Sequence, residues 1–91
     1  MKALQVRITG TVQGVGYRAW TEQAARSRGL SGWVRNRRDG SVEALIAGPD
    51  DKVDDMLAHF WQGPMASRVE RVSAEAASEP MQLGFRTLPT A

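Results

Sequence analysis

Two apolar runs in the middle of the chain, LSGWVRN (residues 30–36) and SVEALIA (residues 41–47), are separated by only four residues, RRDG. Strands joined by so short a connection run antiparallel, because a parallel pair needs a crossover of a dozen residues or more. Asp39-Gly40 supplies the turn. A central hairpin of this kind excludes a continuous parallel βαβ chain. It also splits the remaining sequence into two flanks that can be read separately.

In the N-terminal flank, ALQVRIT puts Leu4, Val6 and Ile8 on one side and Gln5, Arg7 and Thr9 on the other, which is strand periodicity. A glycine-rich loop follows, then AWTEQAARSRG, which reads as a helix. Thr21 is a candidate local cap, Trp20 and Ala24 share a face, and Gly29 suits a left-handed stop; the pattern allows a start as early as Tyr17. In the C-terminal flank, Val53, Met56, Leu57 and Phe60 recur at i, i+3, i+4 and i+7 in a second helix that Gly63-Pro64 should end. Asp50, Asp51, Asp54 and Asp55 load its N-terminal half, as capping and as a solvated face that suits the helix dipole. RVERVSAE reads as a strand, although Val69 and Val72 fall out of phase. After a turn near Glu79-Pro80, QLGFRTL sets Leu83 and Phe85 on one face of a short last strand. The order is βαββαβ plus a short final strand. That is an α+β, ferredoxin-like split βαβ fold, an antiparallel sheet with two helices on one face.

Ninety-one residues, 42% of them apolar, suffice for one core, so residues 1–91 are read as a single domain. With no cysteine, disulfides and thiolate chemistry are excluded. No long apolar block follows the N-terminal lysine, and no run approaches a membrane span. A soluble cytoplasmic protein is expected, and a monomer, since no dimer stripe stands out. Charge is polarised within a net of +2. Residues 1–45 hold eight basic groups against three acids, and residues 46–91 hold four against seven. An anionic ligand for the first half fits this, and so do two differently solvated faces.

The loop GTVQGVGYR, Gly10 to Arg18, runs from a strand into the start of a helix. Helix-start amides are unpaired and the dipole there is positive. Glycines let successive N–H groups converge on one anion, and Arg18 adds a permanently charged fork suited to phosphate. A tight turn would need the same glycines, and composition alone does not separate the two. GVGYRA also matches the dinucleotide fingerprint G-x-G-x-x-A. The hairpin that follows, the short chain and RNRR in place of an acid after the second strand argue against that reading. Asn36, at the end of the second strand, could orient a water through donor and acceptor together, or simply favour the turn. Arg35, Arg37 and Arg38 beside Trp33 raise RNA binding, but the aromatic pattern of an RNA-recognition sheet is absent, and no nucleic-acid partner is expected. His59, the one histidine, is read as structural, and Trp20, Trp33 and Trp61 as core or core edge. The aspartates of the second helix lack calcium-loop spacing.

At these same residues the sequence resembles the acylphosphatase family. GTVQGVGYR is similar to that family's pattern Gly-x-Val-Gln-Gly-Val-x-(Phe/Tyr)-Arg, and residues 32–48, GWVRNRRDGSVEALIAG, match its second pattern at every fixed position. The resemblance implies hydrolysis of acyl phosphates to carboxylate and phosphate. It implies that Arg18 binds the phosphoryl group with the amides of Gly14, Val15, Gly16 and Tyr17, that Asn36 holds the attacking water, and that Thr21 supports the site. Arg37 departs from relatives with threonine there. The chemistry asks for no strong acid, since a carboxylate leaves, and positioning with charge stabilisation supplies most of it. No metal, no other cofactor and no covalent phospho-enzyme are expected; inorganic phosphate is expected as product and competitor. A module that only binds a phosphorylated small molecule, such as carbamoyl phosphate, is the alternative. Such modules occur within hydrogenase maturation factors.

Overall fold

A computed structural model describes residues 1–80 and 82–91. Its elements are β1 (Lys2–Thr11), α1 (Tyr17–Ser27), β2 (Ser31–Asn36), β3 (Val42–Gly48), α2 (Asp50–His59), β4 (Arg68–Ala76) and β5 (Phe85–Thr87). They build one five-stranded sheet in the order β4-β1-β3-β2-β5. The central hairpin is present, with Asn36 opposite Val42, and β3 lies between β1 and β2, antiparallel to both. The expectation of a wholly antiparallel sheet is corrected at one edge, where β5 pairs with β2 in parallel. Past Thr87 the chain keeps to that course. Leu88 N–H donates to the Val34 carbonyl (2.9 Å) and Ala91 N–H to the Asn36 carbonyl (3.0 Å).

Alternation along the strands turns Val6, Ile8, Val34, Val42, Ala44 and Ile46 towards the two helices, where all six are fully buried. Tyr17, Ala24 and Ala25 of α1 and Val53 and Met56 of α2 meet them, with Phe60 just past the end of α2. Helix α1 starts at Tyr17, so Thr21 lies in its second turn, fully buried; the local cap read for it is wrong, and left-handed Gly16 holds the cap position. At the other end Gly29 (φ 68°) closes the helix as expected, its N–H donating to the Arg26 carbonyl and that of Leu30 to Ala25. Helix α2 ends a turn sooner than read, at His59, and its aspartates make no side-chain cap. Asp54 and Asp55 instead pair with Lys2 and Arg28 on the surface.

The phase slip in RVERVSAE has a structural cause. Thr9 pairs with Arg71 and Gly10 with Val69, so Glu70 is an extra residue, a β-bulge, and both valines pack on the core. The bulge needs Gly10, because a Cβ there would lie 2.1 Å from the Arg68 carbonyl oxygen. Three apolar readings are corrected: Leu83 lies before β5 and is 93% exposed while Phe85 is buried, Trp61 is 52% exposed, and Trp33 is half-buried on the open face and not at the core. Trp20 packs at the core edge as read.

On the sheet's open face one row crosses three strands. Arg7 and Arg35 flank Glu43, which is buried. Arg35 Nε donates to Glu43 Oε1 at 2.8 Å, Arg7 and Arg37 approach at 3.7 and 3.4 Å, and Gln5 completes the shell. Burial alone would raise the Glu43 pKa, but the hydrogen bonds from Arg35 and Gln5 and the nearby guanidinium charges outweigh it and hold the carboxyl below its usual range. Arg35 also covers the Trp33 ring at 4.7 Å. Of the arginines read as a possible RNA surface, Arg35 and Arg37 thus share Glu43 as a counter-charge.

Candidate active site

The loop between β1 and α1 alternates its backbone hand. Gly14 has φ 74° and Gly16 φ 81°, while the intervening Val15, like every non-glycine residue described, has negative φ. Alternation of this kind turns successive N–H groups towards one centre. The first helical hydrogen bond is Trp20 N–H to the Gly16 carbonyl (3.0 Å), so the amides of Tyr17, Arg18 and Ala19 have no acceptor within the helix. Nothing of the helix itself quenches that end, for α1 has no acid in its first turn and no side-chain cap, whereas α2 carries Asp50 and Asp51 there. No atom lies within 4 Å of where a Cβ would stand on Gly14 or Gly16. These features favour an anion cradle over a plain tight turn.

Above the cradle is a cavity of about 320 Å³ lined by Val12, Gly14, Gly16, Tyr17, Arg18, Ala19, Glu22, Asn36 and Thr87. Arg18 and Asn36, widely separated in sequence, therefore face one space. The topology brings this about. β2 returns beside β3 so that its last residue ends at the same edge of the sheet from which the β1–α1 loop departs, and Asn36 follows Val34 in pointing to the helix side. Among the described residues no carboxylate lies within ion-pair distance of the Arg18 guanidinium, which leaves its charge for a ligand.

Of the residues read from sequence, Val15 and Thr21 do not line the cavity. Val15 packs its side chain on the core, and its contribution is restricted to the main chain. Thr21 is buried with its Oγ1 unpartnered among the described groups. Tyr17 is anchored on its far side. Its hydroxyl donates to the Phe60 carbonyl at 2.6 Å, and burial raises the phenol pKa well beyond its ordinary value. Trp20 leans on Tyr17 and stacks at 4.5 Å on His59, whose pKa is lowered by burial and by the charge of Arg28. His59 thus ties α2 to α1 and does not line the cavity, as its structural reading requires. Arg37 reaches to Glu43 on the open face and does not line the cavity.

Sequence reading missed five contributors, Val12, Gln13, Ala19, Glu22 and Thr87. Gln13 Nε2 donates to the carbonyls of Arg37 (2.7 Å) and Ser41 (2.8 Å), pinning the loop to the hairpin turn beside Asn36. Its fixed place in the loop pattern was the available signal. Ala19 and Glu22 follow Arg18 at i+1 and i+4, and the latter spacing places Glu22 on the same helix face. Thr87 arrives with β5 and had no signal in one dimension. Among the described residues no three His, Asp or Glu side chains are placed to hold a metal ion, and no helix is long and apolar enough to cross a membrane.

Fold and site together define a small α+β sandwich in which a loop of alternating backbone hand at a helix start shares a cavity with an arginine and a carboxamide. A profile of the acylphosphatase family matches residues 4–87. The chain belongs to the acylphosphatase family. It is 57% identical to an acylphosphatase of Rhizobium meliloti over 86 residues, covering 93% of this chain and 90% of the relative. The crystal structure of the Bacillus subtilis acylphosphatase superposes with a TM-score of 0.93 at 32% identity, covering 97% and 99% of the two chains. Full-length HypF, in its phosphate- and nucleotide-bound form, shares the fold over 98% of this chain and 12% of its own, at 23% identity and a TM-score of 0.87.

Proposed function

We propose that this chain hydrolyses the carboxyl–phosphate bond of acyl phosphates, R–CO–O–PO₃²⁻, at the cavity between the β1–α1 loop and the end of β2. Arg18 and the amides of Gly14, Val15, Gly16 and Tyr17 hold the phosphoryl oxygens. The Asn36 carboxamide orients one water in line with the bond to be broken. As the water oxygen bonds to phosphorus, the bond from phosphorus to the acyl oxygen breaks. The pair leaves on the carboxylate, and the water's proton passes to a phosphoryl oxygen. The leaving carboxylate is a weak base and the transition state is loose, so preorganised donors carry most of the catalysis. No metal or other cofactor enters this scheme. The scheme takes the protein as a monomer, and inorganic phosphate competes because it fits the same cradle. A cytoplasmic setting accords with the reading.

The observation that carries the proposal is that Arg18 and Asn36 line one cavity with a loop of alternating backbone hand. The test is benzoyl phosphate hydrolysis with and without EDTA and with added phosphate. Turnover insensitive to EDTA and competitively inhibited by phosphate is expected. Arg18→Gln should lose ~10²-fold or more in kcat/KM, the scale for removing a transition-state donor. Phosphate binding without turnover in the native protein would make this a binding module; near-native turnover in Arg18→Gln would remove Arg18 from the mechanism.

A further inference from the structure

The cavity that holds Arg18 and Asn36 is not wholly cationic. Glu22 lines it one helical turn beyond Arg18, and the two do not pair. Glu22 Oε1 instead contacts Arg26 Nη2 at 3.2 Å. Arg26 is itself held, since its Nε and Nη2 donate to the Phe85 carbonyl at 3.3 and 3.0 Å. A link from β5 through Arg26 thus fixes the carboxylate at the wall where α1 faces Thr87. The phosphoryl group is taken up by the loop and Arg18, so the remaining space beside Ala19, Glu22 and Thr87 is where the acyl part extends.

We infer that Glu22, steered by Arg26, selects the acyl group: it disfavours acyl phosphates with a distal negative charge and favours neutral or ammonium-bearing ones. The inference rests on the proposed placement of the phosphoryl group at Arg18. A carboxylate several ångströms from a second anion, in a cavity open to solvent, repels it enough to change kcat/KM by roughly 3–10-fold. Salt screens that effect. Arg26 partly offsets the charge of Glu22 and limits its reach, so the two residues act in opposite senses.

The experiment measures the ratio of kcat/KM for succinyl phosphate, which carries a distal carboxylate, to that for benzoyl phosphate, which does not. A ratio is needed because loss of an acid beside an anion site raises the affinity of every phosphate. Glu22→Gln should raise the ratio about 3–10-fold at low ionic strength, and the rise should shrink in ~0.5 M salt. Arg26→Gln should lower the ratio. Arg18→Gln, assayed alongside on benzoyl phosphate, reports separately on the site. If it is inactive while Glu22→Gln leaves the ratio unchanged or lower, the inference about Glu22 is overturned and the site stands. If Arg18→Gln remains active, the placement beneath the inference is wrong. A ratio that rises equally in high salt also overturns it, since a steric cause would not be screened.

Discussion

The proposed mechanism divides catalysis between groups that bind and a group that aims, and single residues separate the two. Asn36 lines the cavity while its main chain is gripped on both sides, by Val42 in the hairpin and by the N–H of Ala91. Truncating its side chain removes nothing from the cradle. Asn36→Ala is expected to lose about 10²-fold or more in kcat, the scale of a misplaced reactant. Its phosphate affinity, measured by calorimetry, should stay within about threefold of native, an order-of-magnitude expectation for a cradle whose donors are untouched. Gly16 tests the cradle itself. Its φ of 81° lies where other residues pay, yet the space for a Cβ is clear. Gly16→Ala should therefore fold, destabilised by about 1–2 kcal/mol. Turnover should fall by ~10-fold or more as the following amides turn from the ligand. Thermal unfolding with kinetics on one preparation checks both halves, and full activity at the reduced stability would detach the backbone hand from the chemistry. Arg18, Asn36 and the glycines could be picked out in the sequence as candidates, but turn readings fitted Asn36 and the glycines equally well there, and only the fold brings Arg18, Asn36, Gly14 and Gly16 to one cavity. Glu22 was not, since a helix-surface acid looks the same whether it faces water or a substrate.

At the scale of elements, the site depends on holding a loop from one strand against a turn between two others. Gln13 does this with two hydrogen bonds to the carbonyls of Arg37 and Ser41. Gln13→Ala removes one of two partners from each carbonyl, which keep the N–H groups of Gly40 and Arg37, and should cost about 1–3 kcal/mol in stability for the two lost hydrogen bonds. It should also lower kcat more than it changes KM, because water and phosphoryl group are then held by parts no longer tied together. Steady-state kinetics beside a urea titration decide the matter; a pure KM effect would make Gln13 a binding residue instead. The hairpin, both helices and β1 were readable because their apolar periods and turn residues act locally. β4 was readable as a strand, but its phase was not, because Glu70 breaks the pattern and the bulge exists only once β1 supplies Gly10 opposite. β5 was misread for a related reason. Leu83 and Phe85 alternate like a strand, but pairing begins only at Phe85, where β2 offers a partner.

Taken whole, the molecule sets two kinds of stabilisation on opposite faces of one sheet. The helix side buries aliphatic and aromatic groups, and the open side buries a single carboxylate among guanidinium groups. That second arrangement gives stability a pH dependence of definite sign. The folded protein holds the Glu43 carboxyl below its ordinary pKa of 4.5. The unfolded chain therefore takes up that proton first. The contribution is complete above pH 4.5 and is lost as pH falls from there through the lower folded value. Asp39, which accepts hydrogen bonds from the side chain and backbone of Ser41, is displaced in the same direction. Glu43→Gln leaves Arg7, Arg35 and Arg37 without their shared counter-charge, at an expected cost of about 1–2 kcal/mol at pH 7, because the site is buried but its partners are half in water. For a domain of this size each kcal/mol moves the midpoint by about 4–8 °C. Between pH 7 and pH 3 the unfolded chain takes up the Glu43 proton ahead of the folded protein, so the gap between native and Glu43→Gln midpoints should narrow. Melting curves of both proteins at the two pH values measure it directly. A gap of the same size at both would mean that Glu43 stabilises the sheet by its shape and hydrogen bonds, and that its charge contributes nothing.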